Sequence, residues 1–322
     1  MSRPKSITLA PTALDRNGIS TTETLLATRL DFLINGALST GYDRDGIGAS
    51  QTPTGANAMT LDGAVGPDLS GRGGGYVLLY GASDDTGRTF TVVGIKHGGV
   101  VFESEAITGP DSTLIVLGAT KWDYVHSVTP DAATAGAIEI GVNGYVDFAA
   151  AGAAQHVAIY SAGDDSSATI AALGLDRYSD VLTETITGVS ANTSTSQKLN
   201  FSRIDRLTLS TGSAGAVEAG YDGLAESQWF ILNYRGENFN VGIGVDVVTG
   251  TLTYAVQHTW HNLQSNTYTP GDETVFTHDT LTGKTADDDG NYTNPPRACR
   301  LAFTAFTSGS AIMHIAQSGS GS

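Results

Sequence analysis

Apolar residues run through this chain in short stretches broken by Gly, Asp, Ser and Thr, and one such pattern occurs twice. The first copy covers residues 76–144 and the second residues 156–223. Each opens on an apolar run ending in tyrosine, Val77-Leu78-Leu79-Tyr80 and Val157-Ala158-Ile159-Tyr160. Each then reaches paired aspartates, Asp84-Asp85 and Asp164-Asp165, and a glycine after a second apolar run, Gly94 and Gly174. To that point the copies are 80 residues apart. From Glu105-Ala106-Ile107-Thr108-Gly109 and Glu184-Thr185-Ile186-Thr187-Gly188 onward they are 79 apart, so Trp122 matches Phe201, Val125 matches Ile204, and Ile138 matches Val217. An offset that changes once over such a length marks a tandem duplication of one small domain.

The period of the pattern is that of strands. Arg88 to Val93 and Val100 to Ile107 alternate on either side of Lys96-His97-Gly98-Gly99, a glycine-rich hairpin signal. Leu114 to Leu117, Tyr124 to Val128 and Ile138 to Val142 add further short strands, and the second copy repeats the layout. Dense short strands without helical periodicity predict a small sandwich or barrel per copy. Residues 225–322 form a different β-unit. Phe239 to Val247 and Thr251 to Trp260 flank Thr249-Gly250, and Arg300 to Phe306 and Ala311 to Ala316 flank Thr307-Ser308-Gly309-Ser310. Both pairs read as hairpins, and together they predict an antiparallel sandwich.

Residues 1–75 have strand-forming pieces, Ile7-Thr8-Leu9-Ala10 and Leu30 to Leu38, but too few apolar positions to close a core. Residues 21–33 fit a short helix or a strand equally well. Leu33-Ile34-Asn35-Gly36-Ala37-Leu38 is similar to Leu61-Asp62-Gly63-Ala64-Val65, and residues 39–57 between them read as a long polar loop. The pattern therefore predicts an all-β chain: an N-terminal arm and partial layer (1–75), two repeated β-domains (76–150 and 151–224) and a C-terminal β-sandwich (225–322). Orphan apolar faces on the arm, roughly residues 1–56, lead to the expectation that it packs on a neighbouring subunit or on the surface of a larger assembly.

Composition agrees with a turn-rich β-protein: 40 of 322 residues are glycine and 16% are charged. The net charge of −16 and the lack of a basic stripe argue against nucleic acid and anionic membranes as partners. No run approaches the roughly 18 apolar residues of a membrane helix. One cysteine, Cys299, excludes an intrachain disulfide and reads as a small core residue on a strand. No apolar signal-peptide stretch follows Met1 to Lys5, and the expectation is assembly in a reducing cytoplasm.

Motifs for chemistry are few. Gly283-Lys284-Thr285 ends like a phosphate loop, but His278 stands where the leading glycine belongs. Gly71 to Gly75 and Gly242-Ile243-Gly244 lack the dinucleotide pattern. His258 and His261 lie three apart on a strand, an awkward spacing for one metal. Asp43-Arg44-Asp45-Gly46 and Asp287-Asp288-Asp289-Gly290 lack calcium-loop spacing and read as solvated turns. The duplicated aspartate pairs read as turn caps. No catalytic, cofactor or metal residue emerges, since the copies keep apolar positions and turns rather than acids and bases. Trp229, Trp260 and Tyr268 are candidate stacking residues for a sugar or partner, with core packing the alternative for both tryptophans.

The strings Tyr80-Gly81-Ala82-Ser83-Asp84-Asp85, Thr89 to Gly94 and Glu105 to Pro110, with their second copies, resemble a module of tailed-bacteriophage virion proteins. The C-terminal part, most distinctively Asn294-Pro295-Pro296-Arg297-Ala298-Cys299-Arg300-Leu301, is similar to another β-module of such proteins. The likeness covers residues 57–317. It implies a non-enzymatic particle component without a cofactor: a capsid-decoration, head–tail or tail accessory protein. A receptor-binding fibre protein is the alternative, and a virion-associated glycan hydrolase a further one. The implied partners are other virion proteins and further copies of the chain, with a trimer expected from the three-fold axes common on phage surfaces.

Overall fold

The computed structural model describes residues 5–9, 15–24, 32, 34, 39–112, 115–148, 154–176, 180–191, 193–196, 201–222, 224–233, 240–265, 268, 273–294 and 296–317. The fold is all-β: several antiparallel sheets, and among the described residues one short 3-10 turn, Ser70–Arg72, and no α-helix. Three separate apolar cores hold it together.

The first core belongs to a six-stranded sheet in the order Asp43–Gln51, Ile138–Val142, Gly75–Gly81, Ile115–Pro130, Thr89–Lys96, Phe102–Thr108. Its strand Ile115–Pro130 is continuous where the pattern predicts two. One half pairs with Gly75–Gly81 and the other with Thr89–Lys96, so a single coiled strand serves both layers. The second core lies between a four-stranded sheet (Thr193–Ser196, Val157–Ser161, Ala216–Tyr221, Asp15–Thr24) and a five-stranded one (Val181–Thr187, Thr169–Leu175, Arg203–Leu209, Tyr145–Asp147, Ser39–Thr40). Here the matching long strand is two, Thr193–Ser196 and Arg203–Leu209. Matched positions fill matched core sites: Val77 and Val157, Phe90 and Ile170, Trp122 and Phe201, Val125 and Ile204 are all fully buried.

Residues 5–72 are not a separate layer. Strand Lys5–Leu9 pairs with the last strand, Ala298–Gln317, and buries Leu9 in the third core. Strand Asp15–Thr24 pairs with Ala216–Tyr221, and Phe32 and Ile34 are fully buried in the second core. Strand Asp43–Gln51 pairs with Ile138–Val142, and Ile47, Met59 and Leu69 enter the first core. The segment thus visits the three units in reverse order and adds an edge strand to each. For these strands the partner expected on a neighbouring subunit is found within the same chain. Buried large apolar side chains contribute about 1.5–3 kcal/mol apiece, which makes the segment part of each core. The helix-or-strand ambiguity resolves to strand over Asp15–Thr24; residues 25–31, 33 and 35–38 lie outside the described residues.

The duplication therefore reaches further than the pattern suggests. Met59 donates its N–H to Val128 O (2.8 Å) as Phe32 does to the matching Leu207 O (2.9 Å). Gln51, Gly48 and Asp43 lie opposite Ile138, Ile140 and Val142, as Glu23, Ser20 and Asp15 lie opposite the matching Val217, Ala219 and Tyr221. Asp68 bridges Tyr124 as Asp147 pairs with Arg203, and Leu69 and Phe148 fill equivalent core sites. Each repeat is a complete domain of edge piece plus body. The edge piece of the second lies ahead of the whole first domain, so the first is inserted into the second. Asp43 and Val142, where the chain enters and leaves the inserted domain, are direct strand partners.

The third unit departs from the predicted hairpins. Val241–Thr259 and Ala298–Gln317 are each one long strand, paired along their length. Gly250 and Gly309 lie opposite one another between two register shifts, with φ of 92° and 111°. A Cβ on Gly250 would stand 2.2 Å from Ser308 O, and one on Gly309 1.9 Å from Thr249 O. These glycines bend both strands of the ribbon at one level rather than ending them. Leu252, Tyr254, Leu301 and Phe303 on one side of the bend share a core with Val241, Ile243, Met313 and Ile315 on the other.

Candidate functional site

The most developed polar-aromatic cluster lies at the end of this ribbon. Arg300 stands opposite Gln257 in the strand ladder and donates its Nε–H to Gln257 Oε1 at 2.8 Å. Its terminal nitrogens form a two-point ion pair with Glu226, one contact at 2.6 Å. The guanidinium also lies over the Trp229 ring, 4.3 Å from its centroid. Trp229 Nε1–H donates to Glu273 Oε1 at 3.0 Å, and the Tyr268 hydroxyl donates to Glu273 Oε2 at 2.8 Å. Burial pulls the Arg300 pKa below its ordinary value, and the Glu226 and Glu273 carboxylates and Tyr268 oppose it. The side chains of Arg300 and Glu226 are 11% and 13% exposed, so the pair acts in a poorly screened setting.

Trp229 and Tyr268 are thus brought together on one carboxylate, each half-buried with its polar atom engaged. Trp260 is placed elsewhere. His258 and Trp260 leave the strand on the face opposite Gln257. Trp260 is 50% exposed and meets the His258 ring edge-on at 6.2 Å. His258 stacks on Phe276 at 5.7 Å, and its Nδ1 lies 3.2 Å from the Tyr292 hydroxyl. Burial foremost, with the nearby His278, lowers the His258 pKa, so its ring is neutral at pH 7. Phe276, 45% exposed, completes an aromatic surface with Trp260. Residue pattern alone misses Phe276, which sits in a polar stretch and gains its neighbour only through the pairing His258↔Phe276.

The remaining motifs resolve into structural roles. Asp84 and Asp164 each accept the backbone N–H two residues on, from Thr86 and Ser166 at 3.0 and 3.1 Å; the hydroxyls of Thr86 and Ser166 foremost, and then these backbone bonds, hold both carboxyls below their ordinary pKa. Asp85 and Asp165 are buried and accept the matching N–H groups of Ala135 (2.6 Å) and Ala214 (2.7 Å), tying strand end to far loop. Ser161 donates to the second oxygen of Asp165 at 2.6 Å, whereas Gly81 occupies that position beside Asp85. Asp287 accepts from Val247 N–H, and Asp288 pairs with Lys284 at 2.5 Å. Cys299 is fully buried, which pushes its thiol up to about 12. Thr274 N–H donates to His261 Nε2 at 3.5 Å. Among the described residues no group of three or more His, Cys, Asp or Glu could hold a metal ion.

A charged junction joins the two repeats. Lys121 of the first pairs with Asp205 of the second at 2.8 Å, and Asp205 also accepts from Arg203 at 2.6 Å. Arg206 donates to Gly118 O at 3.2 Å and lies over the Tyr76 ring. Arg203 covers Tyr145, which stands on the connection between the domains, at 4.0 Å. No family model matches this chain, and no curated protein matches it.

Proposed function

We propose that the chain is a non-enzymatic structural component of a tailed-phage virion, a capsid-decoration or tail accessory protein that stabilises the particle or mounts other parts. The observation that carries this reading is the nested closure of three β-units by one N-terminal segment. A chain whose first strands are locked into its last sheet resists pulling apart of its domains, which is the demand on a particle component. The duplicated carboxylates act as turn caps and loop ties, which leaves them no free role in a hydrolytic pair. The partners in this reading are other virion proteins and further copies of the chain, a trimer among them, and the place of assembly is the host cytoplasm. Immunogold labelling of phage particles, or a particle reconstruction, tests it. Label on the capsid or tail body supports the reading. Label confined to a distal fibre tip defeats it in favour of receptor binding, and release of reducing sugar from host polysaccharide by the purified chain defeats the non-enzymatic claim.

A second reading rests on the exposed Trp260–Phe276 surface, which suits the apolar face of a sugar ring in a carbohydrate-binding role. Trp229 and Tyr268 act in it as the packed support of the same ribbon end. Titration with host oligosaccharides, followed by tryptophan fluorescence, tests it: a saturable change that Trp260→Ala abolishes supports it, and a flat response removes it.

A further inference from the structure

The duplication shows where the series of domains has an open end. In the second domain Arg203, Asp205 and Arg206 seat on Tyr76, Gly118 and Lys121 of the first. The repeat offset maps that seating face onto Tyr124, His126 and Ser127 of the first domain. There the charges are gone and His126 is exposed. Phe102 meets the His126 ring edge-on at 5.2 Å and is itself 57% exposed; beside it Val100 and Val101 are 90% and 61% exposed. Three consecutive apolar residues at that exposure form a surface that water disfavours.

The same residues open an unpaired strand. Phe102–Thr108 is the outermost strand of its sheet, bonded on one side only, to Thr89–Lys96. Its two acids are engaged inside the domain. Glu103 pairs with Lys96 at 2.5 Å, and Glu105 folds back to accept the N–H groups of Ala119 and Thr120, the latter at 3.1 Å. The matching hairpin of the second domain places Asp176 and Asp180 ahead of the exposed Val181, charges of the kind that guard an open edge. In the first domain Lys96 stands at the place of Asp176 and pairs with Glu103, while Val101 stands at the place of Asp180, so one of the two charges is missing. In a chain of net charge −16, copies repel over most of their surface. This apolar, strand-edged face is where two of them can meet, and an antiparallel edge is complementary to itself.

We propose that two copies of the chain associate along this edge, strand Phe102–Thr108 antiparallel to its counterpart in a two-fold contact, with Val101 and Phe102 covered at either end. The contact is independent of the virion reading. The test is sedimentation equilibrium of the full chain over a concentration series, with Val101→Asp, Phe102→Lys and the control Val181→Lys. All three positions are exposed, and circular dichroism verifies the fold. The expected result is a reversible dimer whose dissociation constant rises at least about tenfold in Val101→Asp and Phe102→Lys and is unchanged in Val181→Lys. A monomeric wild type at about 100 μM, where contacts of useful strength are populated, overturns the proposal. So does an oligomer whose mass Val101→Asp leaves unchanged, or a control that weakens it equally.

Discussion

Replacing Leu9 by Ala tests whether the first strand is a structural member of the last domain. Leu9 is 2% exposed in a core with Met313 and Ile315, and its strand makes five register pairs with residues 311–315. A buried Leu→Ala change costs about 2–5 kcal/mol, from lost transfer energy and the cavity left behind. If global opening of the C-terminal unit limits exchange, its core amides exchange roughly 30- to 5,000-fold faster in the variant. Hydrogen exchange read by mass spectrometry resolves this by segment. Peptides from residues 241–259 and 298–317 lose protection, while those from 75–142 keep it. The mirror experiment is Met59→Ala, whose side chain is 6% exposed in the first core. It speeds exchange over 75–142 and spares the C-terminal unit. Wild-type protection in residues 298–317 of Leu9→Ala would refute the closure of that unit by the N-terminal strand.

Three further outcomes follow from the geometry. Ser161→Ala leaves Asp165 Oδ2 buried without its donor and lowers stability of the second domain by about 1–3 kcal/mol in urea unfolding. Gly250→Ala or Gly309→Ala forces a side chain into positive φ against a carbonyl and costs at least about 1–3 kcal/mol, read as a lower Tm; an unchanged Tm would mean the ribbon is not bent there. For His156, burial opposes the charge, but Asp222 at 3.3 Å outweighs it, with Glu226 and Glu184 adding, and the net pKa is raised. A raised histidine pKa gives stability that is full below the unfolded value of about 6.5 and is lost as pH rises through the folded value. The Tm difference between wild type and His156→Gln therefore shrinks from pH 5.5 to pH 8, and a difference that grows over that range contradicts the ion pair.

The bodies of the two repeats were legible because burial selects residues one by one. Trp122 and Phe201, or Ile140 and Ala219, keep their spacing because each faces the same core. The edge pieces were not, although the likeness of Ile34 to Ala37 and Leu61 to Ala64 was visible, because strand partnership over roughly ninety residues in the first repeat and two hundred in the second leaves no local mark. The bend at Gly250 and Gly309 misled for a related reason. A positive-φ glycine within a strand ends it or bends it, and only the facing glycine, far along the chain, decides which. Trp229 and Tyr268 were found by residue type, while the Glu273 that joins them, and the Phe276 that meets the same His258 ring as Trp260, depend on chain crossings that no spacing reveals.

Nesting also orders the birth of the protein. A ribosome delivers the edge strand of the C-terminal unit first and its partner, residues 311–315, almost last. At about 5–20 residues per second the gap between them is roughly 15–60 s. The inserted domain, residues 43–142, is the first for which every strand has emerged, the second domain follows, and the outermost unit waits for nearly the whole chain. Folding during synthesis then runs from the inside outward, with strands Lys5–Leu9 and Asp15–Thr24 held open meanwhile. Long-range closure of this kind is slow and exposes unpaired edges to neighbouring nascent chains. Slowing translation lengthens that exposure for the outer two units and leaves the innermost one unaffected.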